Sequence, residues 1–473
     1  MKRPSKNTCP NCHRLEALVE TLRKEVTSLR AEVASLREQL ASAQKNSSTS
    51  SKPPSSDIVK PQPPPTDNSA KRSIGGQPGH TKHEREPFPA EQVTHFETHV
   101  LDSCPCCGGS VRPNGDKAKV VQQVDICRPP QLIEQHTSPE FWCDHCKRGF
   151  MAALPSHIER GGLVGSQLTA LIAFMKGACH ASFSTTRTFL RDVVGVTISR
   201  GQLSKILGKV SEALAKPYEE LEALLPGEAS LNVDETGHHD NGKLWWTWCF
   251  RAELYTLFHI DPHRSADVLM DKVGKEFAGV LGCDYFSAYR RYLKECGVTL
   301  QFCLAHLIRD VKFLTTLPDA CDRRYGEELR VALKRLFDVF HRRGDLDDEQ
   351  FRSYLSFAKS EVMRVGLSGP DTKHGQNMVK RFRTHGEAYF TFVTTADVEP
   401  TNNLAEQAIR FVVIDRHITQ GTRSEVGRRF CERMWTTIAT CVQQGRSVWH
   451  YLCEVVGNWF VGRPAPSLLP APG

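Results

Sequence analysis

The sequence predicts a multidomain α+β protein, on three observations. Residues 15–40 carry an apolar heptad. Two CxxC pairs, Cys104/Cys107 and Cys143/Cys146, lie about forty residues apart. Residues 229–306 alternate strand-like and helix-like segments between helical blocks. A chain of 473 residues is expected to hold several domains. With 40% hydrophobic and 24% charged residues the composition is that of soluble globular domains, and the net charge of +7 suits a polyanionic partner. The start, MKRPSKN, lacks the apolar run of a secretory signal. The most apolar run, Leu163 to Met175, is broken by Gln167 and Thr169 and ended by Lys176, too short and polar to span a bilayer. The 17 cysteines fit metal ligation and buried thiols better than a disulfide framework. A cytoplasmic location without membrane attachment is expected.

Residues 1–45 read as a coiled coil. Leu15, Leu22, Leu29 and Leu36 recur every seven residues, with Val19, Val26, Val33 and Leu40 four positions after each. β-Branched residues at one seam position and leucine at the other favour a parallel two-stranded coil, hence a homo-oligomer. The alternative is one amphipathic helix lying on the protein's own surface. Just before the coil, Cys9 and Cys12 supply only two thiolates, so a metal site there needs a further ligand. Residues 46–90, rich in Ser and Pro and then Gly, cannot build a core and read as a linker.

Residues 91–155 read as a zinc-binding module. Cys104, Cys107, Cys143 and Cys146 form two knuckles, the arrangement that holds one structural zinc tetrahedrally. Cys106 can exchange with Cys107 as a ligand, and the Gly108–Gly109 pair permits a tight knuckle. Residues 156–228 read as helices. A turn at Gly195, then Ser199-Arg200-Gly201-Gln202 opening a helix, is helix-turn-helix-like and makes Arg200 a candidate DNA contact. Plain helical packing gives the same pattern.

The 229–306 block organises the rest. LNVDET is a strand ending at an acid, Asp234. Asn241-Gly242 signals a hairpin into LWWTWCF, and LYTLFHI is a third strand. A helix follows, then the buried strand GVLGCD ending in Asp284, a helix, and TLQFCLA leading to His306. Three antiparallel strands, a helix and a parallel strand ending in Asp is the order of the ribonuclease H-like fold, and it brings Asp234 and Asp284 together. The catalytic domain is assigned to residues 229–430, with a helical insertion at 307–398 that holds the basic Lys380 and Arg381. EPTNN then enters a helix with Glu406 and Arg410 on one face. Asn403 and Glu406 also match a capping box. Arg423 continues a basic series of Arg416, His417, Arg428, Arg429 and Arg433. Residues 431–473 read as a C-terminal helix and a disordered tail.

In NSSTSSKPPSSD, GGQPGH, CPCCGG with FWCDHC, LNVDETG with WWTWCF, CDYFSAY, FCLAHLIRD and NNLAEQAIR, taken in this order, the chain resembles bacterial transposases of the insertion sequence 66 family. The resemblance implies a DDE-type recombinase whose acids are Asp234, Asp284 and Glu406. It further implies magnesium as the working ion, the DNA of element ends and targets as substrate, and small accessory proteins of the same element as partners. The chain departs from the family pattern at Tyr285, where Gly is common, and at Gln407, where Arg is usual. Three carboxylates suit two magnesium ions acting on a phosphodiester. Two alternatives remain for the same residues: a catalytically inactive DNA-binding relic, and a ribonuclease H-like nuclease that cuts without joining. Cys303 and His306 of CLAH supply two ligand atoms, which do not make a metal site and read as structural or DNA-facing.

Overall fold

The computed structural model describes residues 10–45, 49, 88–93, 95–96, 98, 106–110, 122, 132–145 and 148–470. The chain divides into two compact units, Met1–Pro61 with His136–Gly473, and Gln62–Gln135. In the smaller unit the side chain of Gln122 bonds both backbone groups of Phe88, at 2.6 and 2.9 Å. Gly108 takes the left-handed conformation (φ 72°) that the glycine pair was expected to permit. Of the four predicted zinc ligands, Cys104 and Cys146 lie outside the described residues, Cys143 is described by its backbone alone, and Cys107 is exposed.

The larger unit begins with α1 (Pro10–Ala43), a helix of 34 residues. Its heptad residues all face solvent in the single chain, Leu15, Leu22, Leu29 and Leu36 at 49–60% exposure. Near its end the Glu38 carboxylate lies 3.2 Å from Lys373 Nζ and 3.1 Å from His374 Nε2. A hairpin of β1 (Glu140–Cys143) and β2 (Arg148–Met151) follows. Then come α2 (Ser156–Gly161), α3 (Ser166–Gly177), α4 (Phe183–Phe189), α5 (Arg200–Ala213) and α6 (Ala215–Leu224). Between α4 and α5 the chain widens into one π turn and reverses at Gly195, whose φ of 78° only glycine adopts freely. Ser199 caps α5 by accepting the Gln202 N–H at 3.1 Å. The apolar face of α5, including Leu203, Ile206 and Val210, is fully buried, so this pair of helices is part of the core.

The central sheet has the order β5-β4-β3-β6-β7. Its strands are β3 (Ser230–Asp240), β4 (Lys243–Arg251), β5 (Thr256–Asp261), β6 (Val280–Cys283) and β7 (Thr299–Phe302). The first three are antiparallel, and β6 and β7 join parallel to β3. Asn241 and Gly242 both have positive φ, the mirror-image turn that the Asn-Gly pair predicts. The strand expected to end at Asp234 instead runs six residues further, because its second half pairs with β4 from Trp248 to Lys243. Helices α7 (Ala266–Lys272) and α8 (Ser287–Cys296) make the parallel crossovers. The helical insertion holds α9 (Leu304–Leu314), α10 (Ala320–His341), α11 (Asp348–Leu367), α12 (Lys373–His385) and α13 (Thr391–Thr394). The chain then returns to the sheet as α14 (Asn403–Thr419), α15 (Glu425–Gln443) and α16 (Val448–Val461).

Alternation along the strands sets two layers. Cys249, Phe258 and Ile260 pack against Ala405, Ile409 and Val412 of α14 and Trp435 of α15. Trp248, Phe250 and Leu257 join the larger core with Tyr289 of α8. The open edge of β5 is closed by α15. The N–H groups of Thr256, Phe258 and Ile260 donate to Thr440 Oγ1 (3.2 Å), Thr436 Oγ1 (3.0 Å) and Glu432 Oε1 (2.7 Å), acceptors four residues apart on one helix face. A strand's two-residue period and a helix's four-residue period match here, so no edge donor of that row is left for another chain. The proline-rich end, expected to be disordered, is instead anchored. Leu468 is 1% exposed and its carbonyl accepts from Gln444 Nε2 at 2.9 Å and Arg446 Nη1 at 3.1 Å. Among the described residues no helix is long and apolar enough to cross a membrane.

Candidate active site

The parallel register of β3 and β6 pairs Leu231 with Leu281 and Asn232 with Gly282. Continued by two residues on each strand, the same offset sets Asp234 level with Asp284, just past the parallel pairing, while β3 runs on beside β4. Gly282 leaves room for the Asn232 side chain, whose amide nitrogen a Cβ there would meet at 2.5 Å. Asp234 accepts the Glu235 N–H at 3.0 Å, and Asp284 accepts the Phe286 N–H at 2.8 Å, just ahead of α8. Each aspartate thus has one oxygen engaged and one spare. Asp234 is half-buried. Burial holds its pKa well above the carboxylate range, and the charges of Glu235, Asp284 and Glu406 push the same way.

Glu406 lies in the first turn of α14. Its carboxylate lies 3.1 Å from His306 Nε2 and 3.7 Å from Arg309 Nη2. Burial alone would raise its pKa, but His306, Arg309 and Arg410 outweigh that and leave it below the usual range. No capping box forms. The N-cap residue is Asn402, and its side chain caps nothing. Asn402 instead donates to the Val233 carbonyl at 2.7 Å and accepts from Asn232 Nδ2 at 3.0 Å, while its N–H donates to Cys303 Sγ at 3.2 Å. One buried asparagine thus ties the strand bearing Asp234, the helix bearing Glu406 and the entrance of α9. In the sequence its signal is the NN pair directly before a helix.

Glu235, a second residue outside the expected set, is buried, with Arg264 Nη2 at 2.6 Å and Nε at 2.8 Å, and it accepts a hydrogen bond from the Tyr289 hydroxyl. Burial and the charge of Asp284 raise its pKa. Arg264 is itself held against the rings of Phe286 (3.8 Å) and Trp246 (4.6 Å). This network braces the middle of β3 beside Asp234.

Among the described residues, the ligand-type atoms of Cys303, His306 and Glu406 all lie within 4.8 Å of one another. Neither aspartate belongs to that group. The third ligand-type atom beside CLAH thus comes from α14.

Of the candidate DNA contacts, Arg200, Lys380, Arg410 and Arg423 are exposed. Arg200 also bonds Ser184 Oγ at 3.0 Å. Arg381 is committed elsewhere: it pairs with Asp310 at 2.7 Å, bonds Tyr389 and lies 3.9 Å over the Tyr285 ring. Much of the basic series is likewise structural. Arg416 bonds Thr236, Arg428 pairs with Asp240, Arg429 with Glu432, and Arg433 donates to the Ser211 carbonyl. Beside Tyr285 a cleft of about 440 Å³ is lined by Arg290, Lys380, Arg381, His385 and Asp310 among others. The Nε of Arg290 and one Nη of Arg381 are buried without hydrogen-bond partners among the described residues.

Comparison with known proteins adds three findings. Residues 1–86 match a family of unknown function. An uncharacterized protein of Sinorhizobium fredii, y4hP, is 24% identical over 398 residues, covering 76% of this chain and 70% of its own length. Residues 161–429, which hold the sheet, both aspartates, the helical insertion and Glu406, match the model of the Transposase IS66 family, and the chain belongs to that family.

Proposed function

We propose that the chain is a DDE-type transposase with a ribonuclease H-like catalytic domain, in which Asp234, Asp284 and Glu406 hold two magnesium ions. The observation that carries this is the shared register of β3 and β6, which sets two acids level with each other just past the parallel pairing. The donor set fits the ions. Asp234 is a carboxylate crowded by like charges, and a bound cation is the compensation such a group lacks in the bare protein. When bound, magnesium would polarise the scissile phosphodiester and lower the pKa of the attacking water or 3′-hydroxyl. The protein's own residues do the positioning. Asn402 fixes α14 against β3, and His306 and Arg309 hold the Glu406 carboxylate ionised. Arg264 and Tyr289 keep Glu235 engaged beside Asp234.

The substrate is the DNA of element ends, followed by target DNA. The cleft at Tyr285 begins one residue beyond Asp284, and its cations, with Lys380 at the rim, suit a phosphate backbone. The full chain with magnesium and a labelled element-end fragment should nick that fragment and join its 3′ end to a second duplex. Nicking without joining would make it a nuclease. Neither reaction, with end binding retained, would make it an inactive relic.

The remaining parts serve assembly. Cys104, Cys107, Cys143 and Cys146 hold a structural zinc, the helices around Arg200 contribute to DNA binding, and accessory proteins of the same element act alongside in the bacterial cytoplasm. The heptad face of α1 pairs with a second copy, supported by a continuous apolar stripe left in solvent over eight seam positions from Leu15 to Leu40. Replacing Leu22 and Leu29 by Lys should halve the mass measured by light scattering or reduce it further. An unchanged mass would remove α1 as the contact.

A further inference from the structure

We propose that Cys303, His306 and Glu406 form a second metal site, selective for a borderline ion of the zinc or cobalt class, and that this site shares Glu406 with the magnesium centre. The three ligand atoms already converge within 4.8 Å. In a tetrahedral zinc site, bond lengths of about 2.0–2.3 Å place ligand atoms roughly 3.3–3.7 Å apart. His306 Nε2 and Glu406 Oε1, 3.1 Å from each other, lie slightly inside that spacing, so a small opening of this pair and an approach of the sulfur would close the site.

Burial raises the Cys303 pKa in the bare protein, while backbone N–H groups around Sγ oppose that and would favour the thiolate beside a cation. Cys303 stands at the N-terminus of α9, where unpaired backbone donors favour negative charge, and Sγ accepts the Asn402 N–H at 3.2 Å. Asn402 is fixed in turn by β3, so the donor is held before any ion arrives. The other ring nitrogen of His306, Nδ1, is buried without a hydrogen-bond partner among the described residues. Glu406 Oε1, which faces His306 Nε2, is likewise buried without a hydrogen-bond partner among the described residues, and an ion between these two atoms would engage it. One sulfur, one imidazole and one carboxylate make a donor set that magnesium disfavours and zinc or cobalt takes readily. Three protein ligands leave the fourth position open to water or a phosphate oxygen.

The consequence follows from the shared carboxylate. Glu406 cannot serve the aspartates while it closes a cage with Cys303 and His306, so zinc should oppose magnesium rather than replace it. That consequence rests on the proposed role of Glu406; the binding itself does not.

The test uses the full chain, its other cysteines intact, dialysed to equilibrium with cobalt(II). Cobalt per chain and the near-ultraviolet thiolate-to-cobalt band are measured for the unsubstituted protein, Cys303→Ser and His306→Gln, with circular dichroism on the same samples. Both variants should carry one cobalt fewer per chain and lose the matching part of the band. Zinc should then inhibit magnesium-dependent nicking by the unsubstituted protein, at a concentration at least about tenfold lower than it needs for Cys303→Ser. Should Cys303→Ser fail to fold, His306→Gln decides. Equal cobalt content in the folded proteins overturns the site, and equal zinc sensitivity overturns the sharing. A protein that never nicks, yet loses one cobalt in both variants, would discard the magnesium role of Glu406 and keep this site.

Discussion

Asp234→Asn should abolish magnesium-dependent nicking, by roughly 10³-fold or more, while raising the melting temperature of the metal-free protein. The two effects share one cause. The ionised Asp234 is unfavourable in the bare fold, because burial strips its solvation and Glu235, Asp284 and Glu406 repel it. Asparagine removes the charge but keeps an oxygen to accept the Glu235 N–H. The pH dependence has a definite sign. The unfolded chain loses the Asp234 proton near the ordinary carboxylate value, roughly 4, whereas the fold holds it to a much higher pH. Stability is therefore greatest below the unfolded value. It falls as pH rises toward the raised one, and the penalty is complete above it. The advantage of Asp234→Asn should accordingly be largest at neutral and alkaline pH and vanish in acid. Magnesium, which binds the fold and not the unfolded chain, should raise the melting temperature of the unsubstituted protein more than that of the variant. The activity loss follows from removing a metal ligand whose charge is worth several kcal/mol in the transition state, at about 1.4 kcal/mol per tenfold in rate. A variant that melts lower in chelator at neutral pH, or that nicks normally, would remove Asp234 from the centre.

The parts of this architecture that were legible in sequence are those set by local chemistry. Asn241-Gly242 announced its turn, and GVLGCD announced a short buried strand because all four residues of β6 are covered on both faces. Asp234 and Asp284 could be placed together because strand order fixes which strand ends are neighbours. What could not be read was whatever depends on pairing across long separations. The second half of β3 is strand because β4 covers it, and its residues His238, His239 and Asp240 have no strand-like pattern of their own. Arg381, Arg416, Arg428 and Arg433 read as a basic surface, and only the fold brings Asp310, Thr236, Asp240 and Ser211 to them. The proline-rich tail lacks any periodic signal, yet one buried leucine and two side-chain donors suffice to hold it. Asn402 reaches Val233 across 169 residues, and nothing in EPTNN says so.

Glu406→Gln should leave the protein folded and able to bind element-end DNA, yet unable to nick it. In sequence, Glu406 had a structural alternative as the far member of a capping box with Asn403, and glutamine serves a capping box as well as glutamate does. The fold removes that alternative, since Asn402 is the N-cap and its side chain is spent on β3. The carboxylate instead lies 3.1 Å from His306 Nε2 and 3.7 Å from Arg309 Nη2 without a formed hydrogen bond to either, so the substitution removes ion-pair attraction rather than hydrogen bonds. The expected stability cost is about 1 kcal/mol or less, as for ion pairs without a formed hydrogen bond. Loss of nicking should be roughly 10³-fold, because an amide is a poor magnesium ligand and the site loses one of its three charges. Glu406→Asp separates charge from reach: it keeps the carboxylate but withdraws it by one methylene, so it should recover little activity with magnesium. The measurement pairs nicking of a labelled end fragment with thermal unfolding and end binding of the same preparations. Nicking by Glu406→Gln at the unmodified rate would assign the carboxylate to holding α9 against α14 and leave the third magnesium ligand to be found elsewhere on the cleft.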